Sequence, residues 1–142
     1  RKLIIGGVHI PFELGEDGHS DGDVLLHAIT DALLGASALG DIGEFFPPGD
    51  PQWKDADSAQ LLGAAWQKVS GAGWKIQNID CVIALQKPKF LPWRSAVRES
   101  VAAILGIPTE AVFVKAKTGE GLGAVGTSEA VEVWASCLIT RE

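Results

Sequence analysis

The chain has 142 residues, 46% of them hydrophobic and 21% charged, with a net charge of −6. These values suit a single globular domain with its own core and exclude intrinsic disorder. The negative balance excludes broad nucleic-acid binding, which needs a basic face to neutralise phosphates, and leaves open a small phosphorylated ligand held by a few amides and one or two cations.

No apolar stretch is long enough to span a bilayer, and nothing at the start resembles a signal peptide. Arg1 leads at once into the strand-like Leu3-Ile4-Ile5 with no initiator Met, so residues are expected to be missing from the beginning. Leu3 to Ile10 reads as a strand interrupted by Gly6-Gly7. Val24, Leu25, Ile29, Ala32 and Leu33 recur at helical spacing and predict a first helix from about Asp21 to Leu39. Ser20 is the expected N-cap, with Asp23 three residues on approximating a capping box. Gly40 to Lys54 reads as a loop. A second helix is expected from Asp57-Ser58 to Gly71 or Gly73, burying Leu61, Leu62, Ala65 and Val69.

Trp74 to Leu85 predicts a strand. Pro88 and Pro92 bracket a loop holding Lys89, and a third helix runs from Ser95 to Leu105, closed by Gly106. Val112-Phe113-Val114 opens another strand leading into the glycine-rich loop Thr118 to Gly126. Val131, Val133, Ala135, Cys137 and Ile139 alternate along a last strand, Ala130 to Thr140. Four strands among helices predict an α/β (α+β) sandwich with a single mixed four-stranded sheet backed by helices. Cys81 and Cys137 fall in strands outside any metal-spaced pair, so buried reduced thiols and a reducing compartment are expected.

The chemistry concentrates between His19 and Gly43. Asp23, His27 and Asp31 stand four apart and share one face of the first helix, where Asp31 is placed to orient or charge-balance the imidazole of a metal ligand. Spacing alone is more often that of a solvated face. In Lys115-Ala-Lys-Thr-Gly-Glu-Gly-Leu-Gly, glycines allow inward-turned amides to form an anion nest, and Glu120 makes sense beside a phosphate only with a divalent cation between them. An ordinary hairpin loop reads the same way on glycine content. Lys89 suits either a phosphate partner or an exposed lysine, and the five tryptophans suit core packing or a subunit interface. His19-Ser20-Asp21 are too close in sequence for a catalytic triad, whose members converge from separate segments.

Together these segments resemble the 2-C-methyl-D-erythritol 2,4-cyclodiphosphate synthase family over essentially the whole chain. The resemblance rests on Ile5-Gly-Gly-Val, His19-Ser-Asp-Gly-Asp-Val, Leu26-His-Ala-Ile-Thr-Asp-Ala-Leu-Leu-Gly-Ala, Gly40-Asp-Ile-Gly, Phe46-Pro, Asp57-Ser, Gln86-Lys-Pro-Lys, Val114-Lys-Ala and Glu120-Gly-Leu-Gly. It implies cyclisation of 4-diphosphocytidyl-2-C-methyl-D-erythritol 2-phosphate with release of CMP, in a homotrimer whose sites lie between subunits. It further implies His27 as a zinc ligand, His19 and Ser20 on an active-site loop, and Asp41 on the methylerythritol hydroxyls beside Ile42, Gly43 and Phe46. Pro88, Lys89, Phe90, Leu91, Ala116 and Lys117 match the cytidine and phosphate pocket. Thr118 matches a phosphate-binding threonine, and Glu120 the ligand of a second cation, magnesium or manganese.

The family's Asp-x-His zinc pair falls before Arg1 and is absent from this sequence, which again points to missing leading residues. Lys117 replaces a threonine, Thr127 an arginine and Pro48 an aspartate of the family pattern. The expected setting is a bacterial cytoplasm, or a plastid in a eukaryote, with neither nucleic acid nor membrane as partner. The competing readings are a non-catalytic trimer that binds cytidine nucleotide or isoprenoid diphosphate, and a phosphate-binding enzyme of another pathway.

Overall fold

Gly6 and Gly7, at φ 61° and 81°, turn the chain back on itself, so the expected interrupted strand is a hairpin. Its arms are β1, Leu3–Ile5, and β2, Val8–Ile10, paired antiparallel. A Cβ on Gly6 would meet Val97 Cγ1 at 2.7 Å, so the turn presses against a helix in a way only glycine allows. The computed structural model describes residues 3–11, 22–53 and 56–142. The remaining elements are helices α1, Val24–Ala36, α2, Ile42–Phe45, and α3, Ser58–Gly71; strand β3, Lys75–Ala84; helix α4, Arg94–Leu105; strand β4, Val112–Lys117; helix α5, Gly123–Gly126; and strand β5, Glu132–Thr140.

The main sheet has three strands in the order β4-β3-β5, with β3 parallel to β4 and antiparallel to β5. The expected single four-stranded sheet is therefore corrected to a mixed three-stranded sheet plus a separate two-stranded hairpin. The reason lies at the edges. Arg94 Nε donates to Val114 O at 2.9 Å and Arg98 Nε to Val112 O at 2.6 Å, so α4 occupies carbonyls that an additional strand on β4 would need. The hairpin packs instead on α1 and α4, with Gly6 against Leu25, Val97 and Val101.

One face of the sheet carries Ile79, Cys81, Ile83, Val112 and Val114, all buried against the helices with Leu25, Leu26, Ile29, Leu33 and Leu62. The period-two reading of the last strand holds: Val133, Ala135, Cys137 and Ile139 turn inward while Trp134 and Leu138 are each 58% exposed. On that outer face Trp134 pairs with Val82, and Lys115 forms a 2.9 Å ion pair with Asp80. Both cysteines are free, and burial pushes the Cys81 thiol up to about 12, with Asp80 adding to the shift; burial also raises Cys137. Neither is poised as a nucleophile. Among the described residues no helix is long and apolar enough to cross a membrane.

The boundaries of α3 and α4 follow the sequence closely. Asp57 and Gln60 form a reciprocal capping box at the start of α3, and Gly106, left-handed at φ 67°, closes α4. The first helix starts later than expected. Its N-cap is Asp23 rather than Ser20, which lies outside the described residues. Asp23 is 1% exposed and does more than cap: Oδ1 accepts from Leu26 N at 3.1 Å and Gly6 N at 2.9 Å, and Oδ2 from Gly7 N at 2.7 Å. Burial holds this carboxyl above the usual range, against the opposing pull of those amides. Asp23→Ala strands three donors, and the expected loss is on the order of 3 kcal/mol, read as a lower urea midpoint at unchanged slope.

Candidate active site

The sequence-predicted residues fall into two groups, which no hydrogen bond among the described residues joins. The first is organised by α1. His27 lies one turn beyond the Asp23 cap, half-buried, and its Nε2 stands 2.9 Å from Ser58 Oγ at the start of α3. Ser58 is itself buried, 4% exposed, so the capping box of α3 delivers a fixed hydroxyl to the imidazole. Sequence reasoning treated Ser58 only as a helix start; its sole signal was the Asp-Ser pair opening that helix.

Asp31 does not reach the imidazole as expected. Its Oδ1 accepts from Ile42 N at 2.8 Å, anchoring the first turn of α2. The correction follows from where α2 begins: its amides emerge beside the exposed Asp31 carboxylate, and helix N-termini attract negative charge. Asp41 is the N-cap of α2, with Oδ1 accepting from Glu44 N at 2.8 Å. Ile42 and Gly43 form the turn it caps. Phe46 follows, edge-on to Trp53 with ring centroids 4.7 Å apart. Phe46, Pro47, Pro48, Gly49, Asp50, Pro51, Trp53 and Leu61 line a cleft of about 590 Å³. The segment read as plain loop thus contains a short helix and a 3-10 turn, Pro51–Trp53. His19 and Ser20 lie outside the described residues.

The second group forms where β3 and β4 end side by side, tied by Leu85 N to Lys117 O at 2.8 Å. Two loops leave that edge together, one with Gln86 to Leu91 and the other with Thr118 to Leu122. Lys89, Leu91, Ala116, Lys117, Thr118 and Glu120 are exposed, and Pro88 is half-buried. Phe90 is 4% exposed and packs in the core, so its side chain serves the fold and only its main chain is open to a ligand.

The first turn of the glycine loop, Gly119 to Gly121, does not offer the free amide nest that its composition allows. Gly119 N donates to Gln86 Oε1 at 3.1 Å, Gly121 N reaches the same oxygen at 3.5 Å, and Glu120 N donates to Thr118 Oγ1 at 3.2 Å. Three successive amides are turned to protein acceptors. Glu120 sits in the left-handed region at φ 54°, a conformation that costs a non-glycine residue about 1–3 kcal/mol. Close backbone approach holds the loop shut, since a Cβ on Gly119 would come within 2.5 Å of Gly126 N. Thr118, Lys117 and Glu120 stay exposed beside these amides.

Among the described residues no group of three or more His, Cys, Asp or Glu side chains converges to hold a metal ion. His27 brings one imidazole and Ser58 a hydroxyl, fewer than the three protein ligands a catalytic zinc needs, so the described residues do not by themselves fit zinc. Glu120 is different. A single exposed carboxylate beside a hydroxyl and an ammonium is the usual protein share of a magnesium or manganese site, in which substrate oxygens and water supply the rest.

The sequence matches the YgbB family over residues 1–140. It is 64% identical over 139 residues to the 2-C-methyl-D-erythritol 2,4-cyclodiphosphate synthase of Treponema denticola, covering 98% of this chain and 86% of that protein. The fold superposes on the bifunctional IspDF from Campylobacter jejuni with TM-score 0.92 and 40% identity, over all of this chain but 38% of that one. It also superposes on a 2C-methyl-D-erythritol-2,4-cyclodiphosphate synthase solved in its CDP-bound form, with TM-score 0.89 and 37% identity over 99% of this chain and 91% of that one.

The Asp31–Ile42 contact yields a direct expectation. Asp31→Ala should speed hydrogen exchange at the Ile42 amide and displace Asp41, while shifting global stability by about 1 kcal/mol or less. Exchange mass spectrometry and urea denaturation separate the two effects.

Proposed function

This chain belongs to the YgbB family, and from that premise we propose how its residues divide the work of one intramolecular reaction. The enzyme converts 4-diphosphocytidyl-2-C-methyl-D-erythritol 2-phosphate to 2-C-methyl-D-erythritol 2,4-cyclodiphosphate and CMP, a step of isoprenoid precursor synthesis by the non-mevalonate route. The observation that carries this is the 64% identity to a named synthase across 98% of the chain.

An oxygen of the 2-phosphate attacks the β-phosphorus, a P–O bond forms, and the bond from that phosphorus to the bridging oxygen breaks, its electron pair leaving with CMP. No protein nucleophile is required, in keeping with the two suppressed thiols. The barrier is repulsion between two anionic groups and the entropy of bringing them into line. A bound dication supplies charge neutralisation at those phosphates. The rest falls to the chain. Asp41, with Oδ1 committed to Glu44 N, presents its other oxygen to the methylerythritol hydroxyls, while Ile42 and Gly43 contribute main chain. The apolar cleft beside Phe46 accommodates the carbon skeleton.

Pro88, Lys89, Phe90, Leu91, Ala116 and Lys117 hold the cytidine and its phosphates. Thr118 donates its hydroxyl to a phosphate, and Glu120 takes the magnesium or manganese. His27 would serve as one ligand of a zinc ion. His19 and Ser20 meet the substrate from the active-site loop. The bacterial relative and the free cysteines support a cytoplasmic setting.

We propose further that three copies assemble and that each site is shared. Two observations support this: no hydrogen bond among the described residues joins the Asp41 and Glu120 groups, and the sheet's outer face leaves Trp134, Leu138 and Phe113 exposed. Buried in an interface, such residues stabilise association. Trp134→Glu should leave the monomer folded and abolish both the trimer in sedimentation and turnover; a trimeric, active variant refutes the interface. The reaction itself is checked by CMP release from the cytidyl substrate. His27→Ala and Glu120→Gln should each lower that rate by a hundredfold or more, about 2.7 kcal/mol of barrier. Binding of CDP without any CMP release by the unaltered full-length protein would favour the non-catalytic reading.

A further inference from the structure

Gln86 is assigned no role by the reaction, yet its side chain is the one link from the first loop to the second among the described hydrogen bonds. Its Oε1 takes Gly119 N at 3.1 Å and lies 3.5 Å from Gly121 N. Glu120 stands between those two amides, and its own N–H is held by Thr118 Oγ1. The peptide unit before Glu120 is thus gripped by Thr118 and the one after it by Gln86. These are the two planes whose rotation defines φ and ψ at Glu120, the residue held at φ 54°. A non-glycine residue keeps that conformation only when its surroundings over-determine it. Released, the loop would relax to negative φ and swing the carboxylate away from where it now points. The neighbouring glycines restrict the relaxed alternatives further, because Gly126 packs backbone to backbone on Gly121.

We propose that Gln86 is a positioning residue that presents the Glu120 carboxylate to the divalent cation, tying the cation site to the loop that carries Lys89. The proposal rests on the reading of Glu120 as a cation ligand. It also explains why an amide serves here: a neutral carbonyl accepts two N–H groups without adding charge beside anionic phosphates, whereas a carboxylate would repel them.

The test uses manganese as probe, titrated by electron paramagnetic resonance into the full-length protein saturated with cytidine diphosphate. Gln86→Leu, close in volume but without an acceptor, should raise the manganese Kd by about tenfold or more, the usual effect of removing a ligand's supporting hydrogen bond. In a Glu120→Gln background the same change should add nothing, since both act through one carboxylate. Amide exchange at Gly119 and Gly121 should quicken in Gln86→Leu and stay slow in Gln86→Glu, which keeps an oxygen at the same reach. Unaltered exchange in Gln86→Leu, or losses that simply add in the double variant, would overturn the proposal. Manganese affinity unchanged by Glu120→Gln would instead overturn the ligand reading beneath it, and the exchange data would tell the two failures apart.

Discussion

Asp23 is the contact on which the rest of the arrangement depends. Its carboxylate is almost wholly withdrawn from water and closes three amides at once, two from the Gly6-Gly7 turn and one from the first turn of α1. A buried carboxylate without partners would be severely destabilising, and orphan amides at a helix start nearly as much. Each defect cures the other. The result is a hairpin fixed to a helix at a defined azimuth. Along that helix His27 then faces Ser58, and Asp31 faces the amide of Ile42. Position in the site is inherited outward from one hydrogen-bonded group.

The second half of the site follows a different logic. Strands β3 and β4 run parallel, so their ends lie together and release two loops at the same edge. Gln86 then fastens one to the other. The loop that results is tied down through Gln86 and Thr118. Its glycines serve close backbone approach, and the amides of Gly119, Glu120 and Gly121 are consumed internally, so at these three positions side chains rather than main chain are left to meet phosphate. That division suits a reaction in which charge has to be neutralised at fixed points. Lys117 adds an exposed cation to this edge.

The outer face of the sheet mixes polar and apolar side chains. Polar Asp80 and Lys115 pair there amid Trp134, Leu138 and Phe113, with Arg94 and Arg98 each about 5 Å from the Phe113 ring. This is the face that the proposed assembly would cover.

The amino-acid sequence by itself determined most of the longer elements and, through the family resemblance, the reaction. Period-two alternation marked β5, Asp57 and Gly106 marked helix ends, and His19-Ser-Asp-Gly-Asp with Gly40-Asp-Ile-Gly marked the family, because each of these signals is local. Tertiary structure decided what local pattern is blind to. It made Asp23 rather than Ser20 the cap, since only folding brings Gly6 and Gly7 beside it. It gave Asp31 to Ile42 instead of His27, put the Phe90 side chain in the core, and detached the hairpin from the sheet because arginines of α4 hold its edge. Ser58 and Gln86 gained their roles through contacts 31 and 33 residues away along the chain. Spacing in sequence constrains neighbours on one helix or strand; partners that far apart are chosen by how the elements pack.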